Sequence, residues 1–144
     1  MTDDFQRAAS EQGRGFEQAV ETTLRIAGCA IVARRRLDPS SGEEIDLVIR
    51  TPGGREIWVE SKGSWRGVRP GLRRSDTAKK AVATAWHLHQ SHAAMPPYVL
   101  ITSHKPVPSS YPAHLIDDAV ASGLFDEVLE LGDLKAAILR LDQA

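Results

Sequence analysis

Asp46, Glu60 and Lys62 are the side chains in this sequence whose types and spacing best suit chemistry. Asp46 lies in an alternating segment and, after thirteen intervening residues, Glu60 and then Lys62 lie in a second one. If the two segments pair as a hairpin, both acids come side by side and Lys62 points the same way as Glu60. Two carboxylates aimed at one spot repel strongly unless a cation joins them. Hard oxygen ligands of this kind suit Mg²⁺, with Mn²⁺ as a substitute. A metal so held lowers the pKa of a bound water and neutralises charge developing on phosphoryl oxygens. A lysine beside it can position or activate the water and stabilise the transition state. The chemistry expected of such a set is phosphodiester hydrolysis.

The elements that must position these residues can be read around them. Glu44–Thr51 alternates, with Ile45, Leu47 and Ile49 expected on one face and Glu44, Asp46, Val48 and Arg50 on the other. Pro52-Gly53-Gly54 is a tight connection to a second strand, Glu56–Lys62. There Ile57, Val59 and Ser61 share one face, and Trp58, Glu60 and Lys62 the other. Upstream, Phe16, Val20, Leu24 and Ala27 form the stripe of a helix over Ser10–Ala27, capped by Ser10 and closed by Gly28. A strand over Cys29–Leu37 follows, then the turn signal Asp38-Pro39-Ser40-Ser41-Gly42. Downstream, Ser75 or Asp76 is expected to cap a helix to about Gln90, striped by Ala78, Val82, Ala85 and Leu88 or His89. Tyr98–Thr102 reads as a buried strand, Ala113–Ala121 as a helix, Glu127–Leu131 as a short strand, and a last helix starts at an Asp133 cap. The order αβββαβαβα predicts one α/β domain over residues 1–144 around a mixed sheet, with residues 1–10 expected to fray.

Length and composition agree with that reading. The chain has 144 residues, 42% hydrophobic and 26% charged, enough for one real core and too apolar for a disordered chain. Cys29 is the single cysteine and cannot close an internal disulfide; with no basic-then-apolar signal at Met1-Thr2-Asp3-Asp4-Phe5, a reducing, cytoplasmic setting is expected. The net charge of −1 hides an asymmetry. Between residues 62 and 80 stand Lys62, Arg66, Arg69, Arg73, Arg74, Lys79 and Lys80 against one acid, Asp76. A local basic segment points to a local anion site. Trp65, Arg66, Arg69, Arg73 and Arg74 combine an aromatic able to stack on a base with guanidinium groups that grip phosphate. Lys79 and Lys80 stand in the first turns of a helix, where a bound phosphate would offset their clash with the helix dipole.

Asp46 followed by Glu60-Ser61-Lys62 resembles the PD-(D/E)xK nuclease superfamily, the restriction-endonuclease-like fold. Gly42-Glu43-Glu44-Ile45-Asp46-Leu47-Val48 and Ile57-Trp58-Val59-Glu60-Ser61-Lys62-Gly63 look like its second and third strands, and the resemblance spans Gly15–Ser103. The Mrr-like, Holliday-junction-resolvase-like and YraN-like branches are the most similar. The spelling departs from theirs in Ile45, where Pro is common, and in the extra Glu43. The resemblance implies an αβββαβ core with a mixed central sheet, followed here by a C-terminal strand and helices. It implies Mg²⁺ held by Asp46, Glu60 and the Ser61 carbonyl, with Glu17 on the first helix as a further acid and Lys62 assisting the water. It also implies DNA as substrate, with RNA equally compatible, and a homodimer to cut both strands.

Other residues weigh less. Glu44 reads as a strand-end charge and Arg34-Arg35-Arg36 as a solvated run that could touch a nucleic-acid backbone. His87, His89 and His92 lack the companions of a zinc site. Cys29 reads as a small core residue. The alternative to an enzyme is a non-catalytic nucleic-acid-binding or partner-recognition module of the same fold.

Overall fold

The computed structural model describes residues 15–64 and 70–144, so the expected fraying of residues 1–10 and the Ser10 cap lie outside the described residues. Helix α1 is described over residues 15–26. It is followed by β1 (Ala30–Leu37), β2 (Glu44–Arg50), β3 (Glu56–Lys62), α2 (Ser75–Ser91), β4 (Tyr98–Thr102), α3 (Tyr111–Ala121), β5 (Glu127–Leu129) and α4 (Leu134–Gln143). The five strands form one sheet in the order β1-β2-β3-β4-β5. β1, β2 and β3 pair antiparallel, while β4 and β5 join in parallel through the α2 and α3 crossovers. The fold is α/β with a mixed sheet, in the element order read from the sequence.

Helices cover both faces. Phe16, Val20 and Leu24 of α1 and Leu134, Ala137, Ile138 and Leu141 of α4 pack on Leu47, Ile49, Ile57, Val59, Val99 and Ile101. On the other face, Ala78, Ala81, Ala85 and Leu88 of α2 and Ile116 and Ala119 of α3 cover Val48, Trp58, Tyr98 and Leu100. Val82, expected in the α2 stripe, is only partly buried; Ala81 takes the inner position. Cys29 is buried in the first core, where burial and then Asp142 push its thiol pKa up, so it packs and does not react.

Local chemistry explains the element ends, with two corrections. Gly28, at φ +92, ends α1 in a Schellman turn: its amide bonds Arg25 O at 2.9 Å and the Cys29 amide bonds Leu24 O at 3.0 Å. Ser75 and Asp76 do not cap α2; a 3-10 turn at Gly71–Arg73 leads straight into the helix and puts Arg74 at the N-cap, with no side-chain cap bond. Asp133 does not cap α4 by its side chain either. It accepts from the Glu130 amide at 3.0 Å, in a reciprocal box around the 3-10 turn Leu131–Asp133.

A third correction concerns β2. Ile45 packs with Val48 and not with Leu47 and Ile49. The register pairs Arg34 with Leu47 and Arg36 with Ile45, which sets Arg35 opposite Asp46. Arg35 has φ +49, a left-handed conformation that interrupts regular alternation there. On the other side, the β2–β3 ladder runs from Arg50↔Glu56 to Leu47↔Val59 and extends no further toward Asp46.

Candidate active site

Where the β2–β3 ladder ends, the Asp46 side chain replaces a backbone partner. Its Oδ2 accepts from the Ser61 amide at 2.8 Å. The next carboxylate, Glu60, is 3% exposed. One of its oxygens meets Lys62 Nζ at 3.2 Å, and the other accepts from the Tyr98 hydroxyl at 3.0 Å. β4 supplies Tyr98 because Trp58 pairs with Tyr98 and Glu60 with Leu100 in the parallel register. Stacking on Phe125, with ring centroids 5.6 Å apart, fixes the phenol further.

The electrostatics follow from crowding acids in a dry place. Burial pushes the Glu60 pKa up to about 7, nearby Asp46 adds to the rise, and Lys62 and Tyr98 only partly offset it. Asp46 is also pushed up, by burial first and by Glu17 and Glu44, against the Ser61 amide and Lys62. Tyr98 is raised by burial and by the Glu60 carboxylate it faces, so it stays a hydrogen-bond donor. The structure therefore brings Asp46, Glu60, Ser61 and Lys62 together, with Glu17 and Glu44 close enough to act on Asp46.

Beside Asp46, between α1 and β1–β3, lies a cleft of about 350 Å³ lined by Glu17, Gln18, Glu21, Arg34, Arg35, Asp46, Leu47 and Ser61. Glu17 pairs with Arg35 at 3.2 Å, and Glu21 with Arg34 at 2.7 Å. Gly63 lets α1 approach: a Cβ there would stand 2.4 Å from the Phe16 ring. The arginine run is therefore not a plain solvated face, since Arg36 also lies over Trp58, 5.5 Å from the ring centroid.

Among the basic residues, Arg73, Arg74, Lys79 and Lys80 are exposed. Trp65, Arg66 and Arg69 lie outside the described residues. The chain on either side of them is anchored to the segment after β4. The Ser64 amide bonds Ser103 Oγ at 3.0 Å and the Leu72 amide bonds His104 O at 3.0 Å. Arg73 and Arg74 thus leave from the end of the sheet that carries Lys62. Lys79 instead lies over the Tyr111 ring, 5.4 Å from its centroid, in the α2–α3 layer away from the cleft.

The histidines do not converge. His87 Nδ1 donates to Glu43 at 3.1 Å, and His89 Nε2 donates to Leu124 O at 3.1 Å. His92 Nε2 donates to buried Asp38 at 2.9 Å and meets Trp58 edge-on. Burial pushes the Asp38 carboxyl up, but bonds from Ser41 and His92 outweigh it and hold the carboxyl below its usual range. Among the described residues no three His, Cys, Asp or Glu side chains are grouped to hold a metal ion. Asp46 and Glu60 are the pair of hard oxygen donors that could meet one cation. No helix among the described residues is long and apolar enough to cross a membrane.

Sequence reasoning missed one participant, Tyr98, and the setting of another, Arg35. Tyr98 was counted with an apolar run, although a phenol in a buried strand must find an acceptor. Arg35 stands in the basic run read as able to touch a nucleic-acid backbone, but its left-handed conformation and its Glu17 partner carry no local signal.

No protein-family model and no curated protein matches the sequence. A solved structure similar to it is that of Pyrococcus furiosus SfsA in complex with Ca²⁺, at 22% identity and a TM-score of 0.48. The match covers 85% of this chain and 55% of that one, so the chain spans about half the length of that protein.

Proposed function

We propose that this chain is a metal-dependent nuclease of restriction-endonuclease-like design that hydrolyses phosphodiester bonds, with DNA as the first substrate to test and RNA the second. The observation that carries the reading is the meeting of Asp46, Glu60 and Lys62 at the open end of the β2–β3 ladder. Half-buried Asp46 and buried Glu60 both have raised pKa values, so ionised together they call for positive charge of which Lys62 supplies only part. Mg²⁺, which accepts one or two carboxylates and keeps several waters, fits that donor chemistry, with Mn²⁺ as a substitute. Asp46, Glu60 and the Ser61 carbonyl would hold it, and the ion would supply an activated water and neutralise phosphoryl charge.

The chain's own residues have separable tasks in this reading. The Ser61 amide and the Tyr98 hydroxyl hold the two carboxylates in place. Lys62 brings a point charge to within 3.2 Å of Glu60, where it can orient the attacking water or steady the reacting phosphoryl group. Arg73 and Arg74 are exposed at the same end of the sheet, suited to backbone phosphates. Glu17 acts on Asp46 through space but is held by Arg35. A homodimer would place two such sites on opposite strands.

A second reading has one observation in its favour: both Glu60 oxygens are already engaged, by Lys62 and by Tyr98. That suits a module that binds nucleic acid or a partner without chemistry. The deciding experiment is cleavage of single-stranded, duplex, forked and four-way-junction DNA, and of RNA, by wild type and Asp46→Asn with Mg²⁺, Mn²⁺ or EDTA. Metal-dependent cutting lost in Asp46→Asn is the expected result. Intact substrates under every condition would overturn the nuclease reading, and metal-independent binding in both proteins would then favour the module.

A further inference from the structure

We infer that the cleft between α1 and the β1–β3 strands is a phosphate subsite. In it Arg35 exchanges its Glu17 partner for the phosphate of a nucleotide adjoining the bond addressed by Asp46 and Glu60. The inference rests on the proposed nuclease reading and names residues that reading leaves without a task.

Three independent observations meet in this cleft. The first is size: about 350 Å³ is room for one nucleotide unit, at the small end of ligand sites. The second is Arg35 itself. It holds φ +49 directly across from Asp46, a conformation that a side chain other than Gly, Asn or Asp rarely takes. Such strained positions cluster where a ligand is gripped. The guanidinium is 60% exposed and its contact with Glu17, at 3.2 Å, is a single exposed ion pair. Pairs of this kind are worth little in water and exchange readily for a doubly bonded phosphate. The third is Ser61. Among the described residues its Oγ is the one buried side-chain polar atom with no hydrogen-bond partner, and Ser61 lines this cleft. Buried hydroxyls are normally satisfied, so this one, closed off from solvent next to the cleft, marks a place where a small shift on ligand entry would give it an acceptor.

The exchange has a direction. Arg35 now neutralises Glu17, and Glu17 in turn raises the Asp46 pKa through space. When phosphate takes Arg35, the Glu17 carboxylate is released beside Asp46, so its negative charge becomes available to the acidic cluster only once nucleic acid is in the cleft. Arg34 stays with Glu21, 2.7 Å away, and keeps the wall in place.

The test is binding of a fluorescently labelled single-stranded oligonucleotide in EDTA, read by anisotropy across a salt series, for wild type, Arg35→Gly, Arg35→Lys, Glu17→Gln and the double variant Arg35→Gly with Glu17→Gln. Glycine suits φ +49, so Arg35→Gly removes the guanidinium without straining the strand. The expected result is that Arg35→Gly binds roughly tenfold more weakly, with a salt slope smaller by about 0.7, the value for one lost contact to a single strand. Arg35→Lys should recover only part of the affinity, because it cannot form the bidentate contact. Glu17→Gln should bind severalfold more tightly, since the competitor for Arg35 is gone. Opposite signs also follow from charge alone, so the double variant decides: under exchange Glu17→Gln tightens binding when Arg35 is present and has little effect in the Arg35→Gly background, whereas a general charge effect, which would overturn the exchange, is the same in both. If both bind like wild type, or both weaken alike, while wild type binds and cuts and Asp46→Asn does not, the subsite is overturned and the nuclease stands. If wild type binds no oligonucleotide in EDTA yet cuts with Mg²⁺, the subsite is overturned and the nuclease stands; if it neither binds nor cuts, both readings fall.

Discussion

Replacing Glu60 by Gln should change how stability depends on pH. In the metal-free protein the folded state holds the Glu60 proton up to about pH 7, against a usual value of 4.5, chiefly because the group is buried and secondly because Asp46 is near. Between those values the folded state binds more protons than the unfolded chain, so unfolding free energy must fall as pH rises. At about 1.36 kcal/mol per pH unit, the interval is worth about 3 kcal/mol, a large fraction of a typical domain's stability. Glutamine keeps the shape and an acceptor for Tyr98 but carries no charge. Urea unfolding followed by tryptophan fluorescence in EDTA at pH 5 and pH 8 measures the effect. Wild type should lose about 3 kcal/mol more than Glu60→Gln between the two conditions. Adding Mg²⁺ at pH 8 should restore wild type and not the variant, because a cation binds the ionised form. Parallel pH dependence in the two proteins would refute the electrostatic reasoning, and restoration of both by Mg²⁺ would refute the role of Glu60 in holding the ion.

Two neighbouring substitutions probe the packing around the site. Gly63→Ala would drive a methyl to 2.4 Å from the Phe16 ring, so α1 must shift, and thermal unfolding should show a loss of about 1–3 kcal/mol. Ser61→Ala removes a buried hydroxyl without a partner, so chemical denaturation should show it unchanged or stabilised by up to about 1 kcal/mol. A clear destabilisation would mean that the hydroxyl has a partner in the folded protein.

The hairpin of the site was legible because its signals are local. Alternation fixed β3 at Glu56–Lys62, and the Pro52-Gly53-Gly54 turn fixed its pairing with β2. Glycine chemistry likewise marked the end of α1 at Gly28. What escaped depends on partners distant in sequence. Ile45 crosses to the other core where β2 leaves the β3 ladder at Asp46, opposite the left-handed Arg35 of β1. Tyr98 reaches Glu60 only after the α2 crossover brings β4 alongside β3. The Ser75 or Asp76 cap failed, and Asp133 stands at the N-cap of α4 without a side-chain cap bond, for a related reason. A 3-10 turn precedes each helix: before α2 it starts the helix early enough to place Ser75 and Asp76 inside it, and before α4 it leaves Asp133 at the N-cap but turns its carboxylate back to the Glu130 amide.

The fastening of α4 has a consequence for the order in which the chain can become native. Asp142 accepts from Thr51 Oγ1 and from the Gly53 amide, and Arg55 donates to Leu141 O at 2.6 Å, so the β2–β3 turn is tied to a helix more than eighty residues downstream. The hairpin can close early, since its contacts are short-range. Its inner face of Leu47, Ile49, Ile57 and Val59 then waits for α4 to supply Leu134, Ile138 and Leu141. During synthesis, the strands carrying Asp46 and Glu60 emerge after α1 but long before α4, so only part of their cover is at hand. Chains interrupted before α4 should therefore keep the α1 cover but leave the part of this face that Leu134, Ile138 and Leu141 fill open to aggregation or chaperone capture.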